Sequence, residues 1–218
     1  MCAGIAVAAV GTGYTLFGGA SYEMPGNNSN RAVKLVSNST TSFSGIDFAV
    51  PSGLTFGDVQ KLAADYKFTP GGCTGGAPRF QMNVVDPLTN ETKNIFAYSG
   101  SYPNYNDCPA GVWTSTGDLA ESGLYVDATQ VGESFYEPFS SAQSRFGSYA
   151  VTGIQLVTDS GRAVAQSLLV GNVTINGTTY TFDFGKDDCK DGGWKNYTIA
   201  PGPFKNQGQC VSYFARQQ

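Results

Sequence analysis

Apolar and polar side chains alternate along much of this chain, in short runs. "PRFQMNVVD" (78–86) places Phe80, Met82 and Val84 on one face and Arg79, Gln81 and Asn83 on the other, the period of a half-buried strand. "TKNIFAYSG" (92–100) alternates in the same way, and "RAVKLVS" (31–37), "SFSGIDFAV" (42–50), "LYVDAT" (124–129), "YAVTGIQLVTD" (149–159) and "QSLLVGNVTI" (166–175) are further strand candidates. Asn176-Gly177 then leads into "TTYTFDF" (178–184). Such a pair between β-rich runs predicts a hairpin with a type I′ turn, because both residues tolerate positive φ. Two segments read instead as helices. "TFGDVQKLAADYKF" (55–68) carries Phe56, Val59, Leu62 and Ala63 at helical spacing, with Thr55 as N-cap. "SFYEPFSSAQSRFG" (134–147) carries Phe135, Phe139 and Phe146, and Pro138 restricts it to a first turn or a break.

Many short strands with Gly-rich turns and one or two short helices predict an all-β chain. An antiparallel, jelly-roll-like β-sandwich is the expected architecture, with a closed barrel as the alternative. A chain of 218 residues suits one such domain. The reading divides it into an uncharged N-terminal segment (1–22), the sandwich (23–185) and a C-terminal extension (186–218). Residues 1–22 lack the basic start of a secretory signal, so they read as a signal remnant or as a strand for self-assembly.

Composition narrows the function. Charged residues make up 14% and the formal charge is −4. No basic stripe appears, so nucleic acid is not an expected partner. No transmembrane span is expected either. The chain has no histidine, which removes Ser-His-Asp and Cys-His catalysis and imidazole metal sites. Glycoside hydrolysis needs two opposed carboxylates. No E-x-D-x-x-E pattern occurs, and Glu133 and Glu137 lie in or beside a helix or loop. No catalytic residue and no cofactor are expected.

Five cysteines are present, and Cys2 stands apart from Cys73, Cys108, Cys189 and Cys210. Those four allow three pairings, of which the local one, Cys73–Cys108 and Cys189–Cys210, is the expected one. Disulfides indicate an oxidising compartment, hence a secreted or cell-surface protein. Asn-x-Ser/Thr sequons begin at Asn27, Asn38, Asn90, Asn172, Asn176 and Asn196. They are either glycosylation sites or a product of an Asn- and Thr-rich composition.

"SGIDFAVPSGLTFGDVQKLAADYKF", "GGAPRFQMNVV", "NIFAYSG" and "VTGIQLVTDSG…SLLVGNVTINGTTYTF", with the tail "KDDCKDGGWKNY…FKNQGQCVSYF", run in an order that resembles secreted or surface proteins of actinobacteria and related environmental bacteria. The resemblance spans most of residues 42–214 and implies fold class and location more than activity. The strands near 150–184 are also similar to carbohydrate-binding jelly rolls. Those often carry Asp before the "NVTI"-like strand, where Gly171 stands here.

Two places could carry binding chemistry. "FAYSGSYPNYNDCPAGVW" holds Tyr98, Tyr102, Tyr105 and Trp113, with Asn104, Asn106 and Asp107 beside them. Aromatic rings that stack on sugars, next to polar groups for hydroxyls, make this the candidate sugar-binding loop. The other place is the tail. Asp187, Asp188 and Asp191 are chemically fit for calcium, but EF-hand spacing is absent and Lys186, Lys190 and Lys195 are interleaved. A disulfide staple is the preferred reading: Gly192-Gly193 as a turn, Asn206, Gln207 and Gly208 as another, Trp194 on apolar surface, and Phe204 against Tyr213. The functional expectation is an extracellular structural or adhesive protein, including a self-assembling coat or filament. Carbohydrate binding through the tyrosine loop is the alternative, and a glycan-active enzyme the third. The partners are then the chain itself or surface glycans.

Overall fold

The computed structural model describes residues 7–8, 13–69, 71–73, 77–159, 165–197 and 201–216. One sheet runs, in spatial order, β1 (Val7–Ala8), β2 (Tyr14–Gly18), β5 (Phe43–Phe48), β12 (Ala150–Asp159), β7 (Arg79–Val85) and β8 (Thr92–Tyr98). The other runs β3 (Ser21–Glu23), β4 (Ala32–Ser37), β13 (Gln166–Ile175), β6 (Leu62–Phe68) and β9 (Thr114–Ser115). A further strand, β14 (Thr178–Thr181), pairs with β13 beyond the end of β4. Every strand pair in the two sheets is antiparallel. Leu35, Leu168 and Val173 from one sheet and Ile46, Phe80, Met82 and Ile154 from the other are fully buried in one cluster. Two layers that bury alternating side chains against each other form a β-sandwich, as the sequence pattern predicts.

Four expectations change. Residues 55–68 are not a helix. Phe56–Asp58 forms one 3₁₀ turn, in which the Asp58 carboxylate accepts from the Thr55 N–H and hydroxyl at 3.0 and 2.6 Å. Leu62, Ala64, Tyr66 and Phe68 then alternate buried with half-exposed neighbours along β6. The three-residue spacing of Phe56, Val59 and Leu62 fits one helical turn, but period two governs from Leu62 onward. A place between β13 and β9 rewards that period.

The N-terminal boundary also moves. Tyr14 and Leu16 are buried in β2, and β3 pairs with β4. The sandwich therefore includes residues assigned above to the leading segment. Strand β1 pairs with Leu16 and Thr15 of its own chain.

The hairpin after β13 has the expected register, with Ile175 opposite Thr178. Its turn is not type I′. Asn176 takes φ 51° while Gly177 stays outside the left-handed region, the order of a type II′ turn. The Asn176 Oδ1 accepts from the N–H groups of Gln60 and Lys61, and its Nδ2 donates to the Asp58 carbonyl. The turn is thus held by a tertiary contact that propensity does not contain.

Pro138 precedes helix α1 (Phe139–Phe146), which buries Phe139, Ala142 and Phe146. Phe135 lies outside it. A short ribbon, β10 (Tyr125–Val126) with β11 (Glu137–Pro138), frames this segment. Among the described residues no helix is long and apolar enough to cross a membrane.

Both local disulfides are present, Cys73–Cys108 and Cys189–Cys210. The second closes a small separate core of Tyr197, Phe204 and Phe214, with Trp194 packed at its side. Phe204 meets Tyr213 with centroids 5.6 Å apart, and Gly192 takes φ 86° in the turn. Residues 207–208 are not a turn: they begin helix α2 (Gln207–Ala215), whose N-cap Asn206 accepts from the Gln209 N–H at 2.9 Å. An Asn before a short amphipathic run was a legible N-cap signal, but glycine at 208 masked it.

Candidate functional site

Strand β8 ends in two aromatic residues, and the segment after it folds back along that edge. Phe96 and Asp127 exchange both backbone hydrogen bonds, at 3.0 and 2.8 Å. The Tyr98 hydroxyl donates to Asp127 Oδ2 at 3.0 Å. Asp127 is itself held by Thr129, whose N–H and hydroxyl donate to Oδ1. This stitching brings residues 98–105 against residues 124–136.

Two layers of rings result. The inner layer is Tyr98 and Tyr105, with centroids 5.0 Å apart. The outer layer is Tyr102, Tyr136 and Phe135, exposed by 54%, 40% and 38%. Tyr102 stacks on Tyr125 at 4.7 Å and meets Tyr136 edge-on at 5.1 Å. Tyr136 donates its hydroxyl proton to the Pro103 carbonyl at 2.9 Å. Phe135 stacks on Tyr98 at 5.4 Å. Each exposed ring is therefore fixed by a neighbour before anything binds. Beneath Tyr102 lies a crevice of about 60 Å³ lined by Tyr98, Gly100, Tyr105, Leu119, Leu124 and Tyr125, large enough for water. The buried Tyr105 hydroxyl has no hydrogen-bond partner among the described residues.

Burial sets the ionisation of the inner layer. It pushes Tyr105 up to about 12. It raises Tyr98 well above its ordinary 10, with the Asp127 carboxylate adding to the effect. A raised phenol favours the neutral form in the folded state. Its contribution to stability is complete below pH 10 and is lost as pH climbs through 10 toward the folded-state value, because the unfolded chain ionises first. An ultraviolet titration is expected to show a late-ionising tyrosine class that converts together with alkaline unfolding. Full titration at the ordinary value in a folded protein would contradict the packing.

The predicted loop residues do not all converge. Tyr98, Tyr102 and Tyr105 do. Asn104, Asn106 and Asp107 sit on the exposed rim, where the Asn106 carbonyl accepts from the Ser101 N–H. Trp113 lies elsewhere. Its ring edge is 3.3 Å from where a Cβ on Gly171 would stand. Beside it, Asp65 Oδ2 accepts from Nδ2 of Asn172 at 3.0 Å and of Asn27 at 3.3 Å. The Cys108 bridge and the pairing of β9 with β6 carry Trp113 over to the second sheet. Gly171 leaves room for that ring. Tyr125, Phe135 and Tyr136 are the residues that sequence reading missed; the "SFY" triplet (134–136) was the signal for the last two, read there as helix, and Tyr125 was read only as part of a strand.

The other candidates resolve structurally. Asp187 pairs with Lys190 at 2.6 Å and Asp188 with Arg31 at 3.1 Å. Among the described residues no group of three or more Asp, Glu, Cys or His side chains could hold a metal ion. Glu133 and Glu137 both pair with Arg145. Among the sequons, Asn38 Oδ1 closes a turn by accepting from Thr40 and Thr41, and Asn90 takes φ 59°.

No family model matches the chain, and no curated protein matches it. Among solved structures, an exo-β-agarase gives a TM-score of 0.38 at 12% identity, over 77% of this chain and 23% of that one. The chain thus spans about a quarter of the agarase's length. The xyloglucanase domain of NopAA, a type three effector from Sinorhizobium fredii, in complex with cellobiose, gives 0.33 at 12% identity over 77% and 92%. Likeness at that level fixes neither fold nor function.

Proposed function

We propose that this is an exported adhesive protein that holds a surface glycan on the shelf of Tyr102, Tyr125 and Tyr136. The observation that carries the reading is the exposed Tyr102 ring, stacked in advance on Tyr125 and braced by Tyr136. A ring fixed before binding loses little conformational freedom when a ligand lands on it, so more of the contact energy appears as affinity. Amides and carboxylates on the rim suit sugar hydroxyls, which both donate and accept. The two disulfides support export.

Affinity electrophoresis in gels carrying neutral polysaccharides tests this. Tyr102→Ala is expected to weaken binding about thirtyfold, as for an aromatic worth about 2 kcal/mol at a binding site. Leu88→Ala, remote and 92% exposed, is expected to change nothing. Equal retention of wild type and Tyr102→Ala would refute the shelf.

A further inference from the structure

We infer that the outer face of the first sheet is a second part of this binding surface, a groove that takes an extended, neutral polysaccharide chain. The inference rests on the glycan reading of the tyrosine shelf and extends it from single sugar contacts to chain length.

The register places two rows of outward side chains across five strands. One row is Thr15, Asp47, Gln155, Gln81 and Phe96; the next is Phe17, Gly45, Val157, Arg79 and Tyr98. Phe96 is buried where it pairs with Asp127, so the open face crosses β2, β5, β12 and β7, three spacings or about 14 Å, the reach of an oligosaccharide rather than of one sugar. A depression of about 430 Å³ lies on this face, with Phe17 and Phe43 on one side, Arg79 and Asp159 on the other, and Gln81 and Gln155 among its lining.

Its chemistry is that of a sugar-binding floor. Gln81 Nε2 donates to Gln155 Oε1 at 3.2 Å and to Asn83 Oδ1 at 3.3 Å. The Gln81 side-chain Oε1 and the Gln155 Nε2 make no hydrogen bond among the described residues, which leaves an acceptor and a donor for hydroxyl groups. The Phe17 ring lies over Gly45, where any Cβ would collide with it, and Phe43 stands 6.1 Å from it. Glycine here lets an aromatic ring lie down on the sheet as a wall.

The charge favours a neutral ligand. Arg79 is already paired with Asp159 at 2.7 Å, Asp47 adds a carboxylate to the floor, and the chain carries −4 overall. Acidic polysaccharides are repelled by that balance.

Packed rings link the Arg79 edge of the groove to the shelf. The Arg79 guanidinium lies 5.0 Å over the Phe96 ring. From Phe96, ring contacts pass through Tyr98, Phe135 and Tyr136 to Tyr102 at spacings of 6.2, 5.4, 4.9 and 5.1 Å. Phe96 is buried and Tyr98 lies in the inner layer, so these rings tie the groove and the shelf rigidly to each other rather than forming a floor between them.

Calorimetric titration with cellobiose, cellohexaose, laminarihexaose, mannohexaose and polygalacturonate tests the groove. Wild type is expected to bind at least one neutral hexasaccharide about tenfold tighter than its disaccharide, a gain of about 1.4 kcal/mol. Gln81→Ala combined with Gln155→Ala is expected to lose that gain and keep disaccharide affinity, whereas Tyr102→Ala loses both. Independently of any variant, the hexasaccharide is expected to shift the side-chain amide resonances of Gln81 and Gln155 in wild type. Unshifted amides, or unchanged hexasaccharide affinity in the folded double variant, would overturn the groove and leave the shelf standing. Absence of all neutral-glycan binding by wild type would overturn both, and preference for polygalacturonate would overturn the neutral assignment.

Discussion

Replacing Arg31 with methionine is expected to cost about 3 kcal/mol of stability, as when one partner of a buried ion pair is removed. Because the Asp188 side chain is still 33% exposed, the loss is expected to fall toward the lower side of that figure. The guanidinium is 5% exposed and joins the sandwich to the tail. Its Nε donates to the Phe182 carbonyl and its Nη1 to Asp188 at 3.1 Å. The rings of Tyr22 and Phe184 pack against it, with centroids 3.7 and 4.3 Å from Cζ. Methionine keeps the apolar stem but leaves the carbonyl and the carboxylate without their donor. Urea unfolding measures the loss, and tryptic cleavage at Lys190 and Lys195 is expected to accelerate as the tail loosens. A change under about 0.5 kcal/mol, the size of an ordinary surface substitution, would mean that the tail docks by its rings and not through the guanidinium.

Removing the disulfides is expected to have an effect at least as large, and an unequal one. In the loop-entropy model a bridge across 21 residues contributes about 3 kcal/mol and one across 35 nearer 4. Cys73 and Cys108 also belong to the main core, so Cys73→Ala with Cys108→Ala should destabilise the whole sandwich in one transition. Cys189→Ala with Cys210→Ala should instead release the small core of Tyr197, Phe204 and Phe214 first. The chain has two tryptophans, Trp113 on the sandwich and Trp194 in the tail, so their fluorescence separates the events. In a Trp113→Phe background, Trp194 is expected to report an early transition in the tail-bridge variant. A single coincident melt in both variants would show that the tail is not a separately stapled unit.

Much of this architecture is legible in local pattern. The alternation in residues 79–85 assigns Phe80, Met82 and Val84 to the core, and the structure buries all three. Pro138 marks the start of α1 correctly, because a ring without an N–H is tolerated only in the first turn. Two of the misreadings share one cause. Residues 55–68 and the Asn176-Gly177 turn have local preferences compatible with two outcomes, and contacts with β13 and with residues 58–61 select between them. The candidate loop was half legible for the same reason. Its three tyrosines share one short stretch of chain, but Tyr125, Phe135 and Tyr136 arrive from a distant segment through the bridge between Phe96 and Asp127. Trp113, near the tyrosines in sequence, is carried away by a strand pairing.

The sequence by itself determined the strands: period-two alternation needs a second layer to bury its apolar face. Whether that layer is a sandwich or a barrel, and which of three cysteine pairings staples it, was decided by the tertiary structure. Which rings share a surface was decided only in three dimensions. A ring's neighbours across strands depend on register and on segments returning to an edge. Those are pairings between residues far apart in the chain, and their free energy appears only once the whole sandwich has closed.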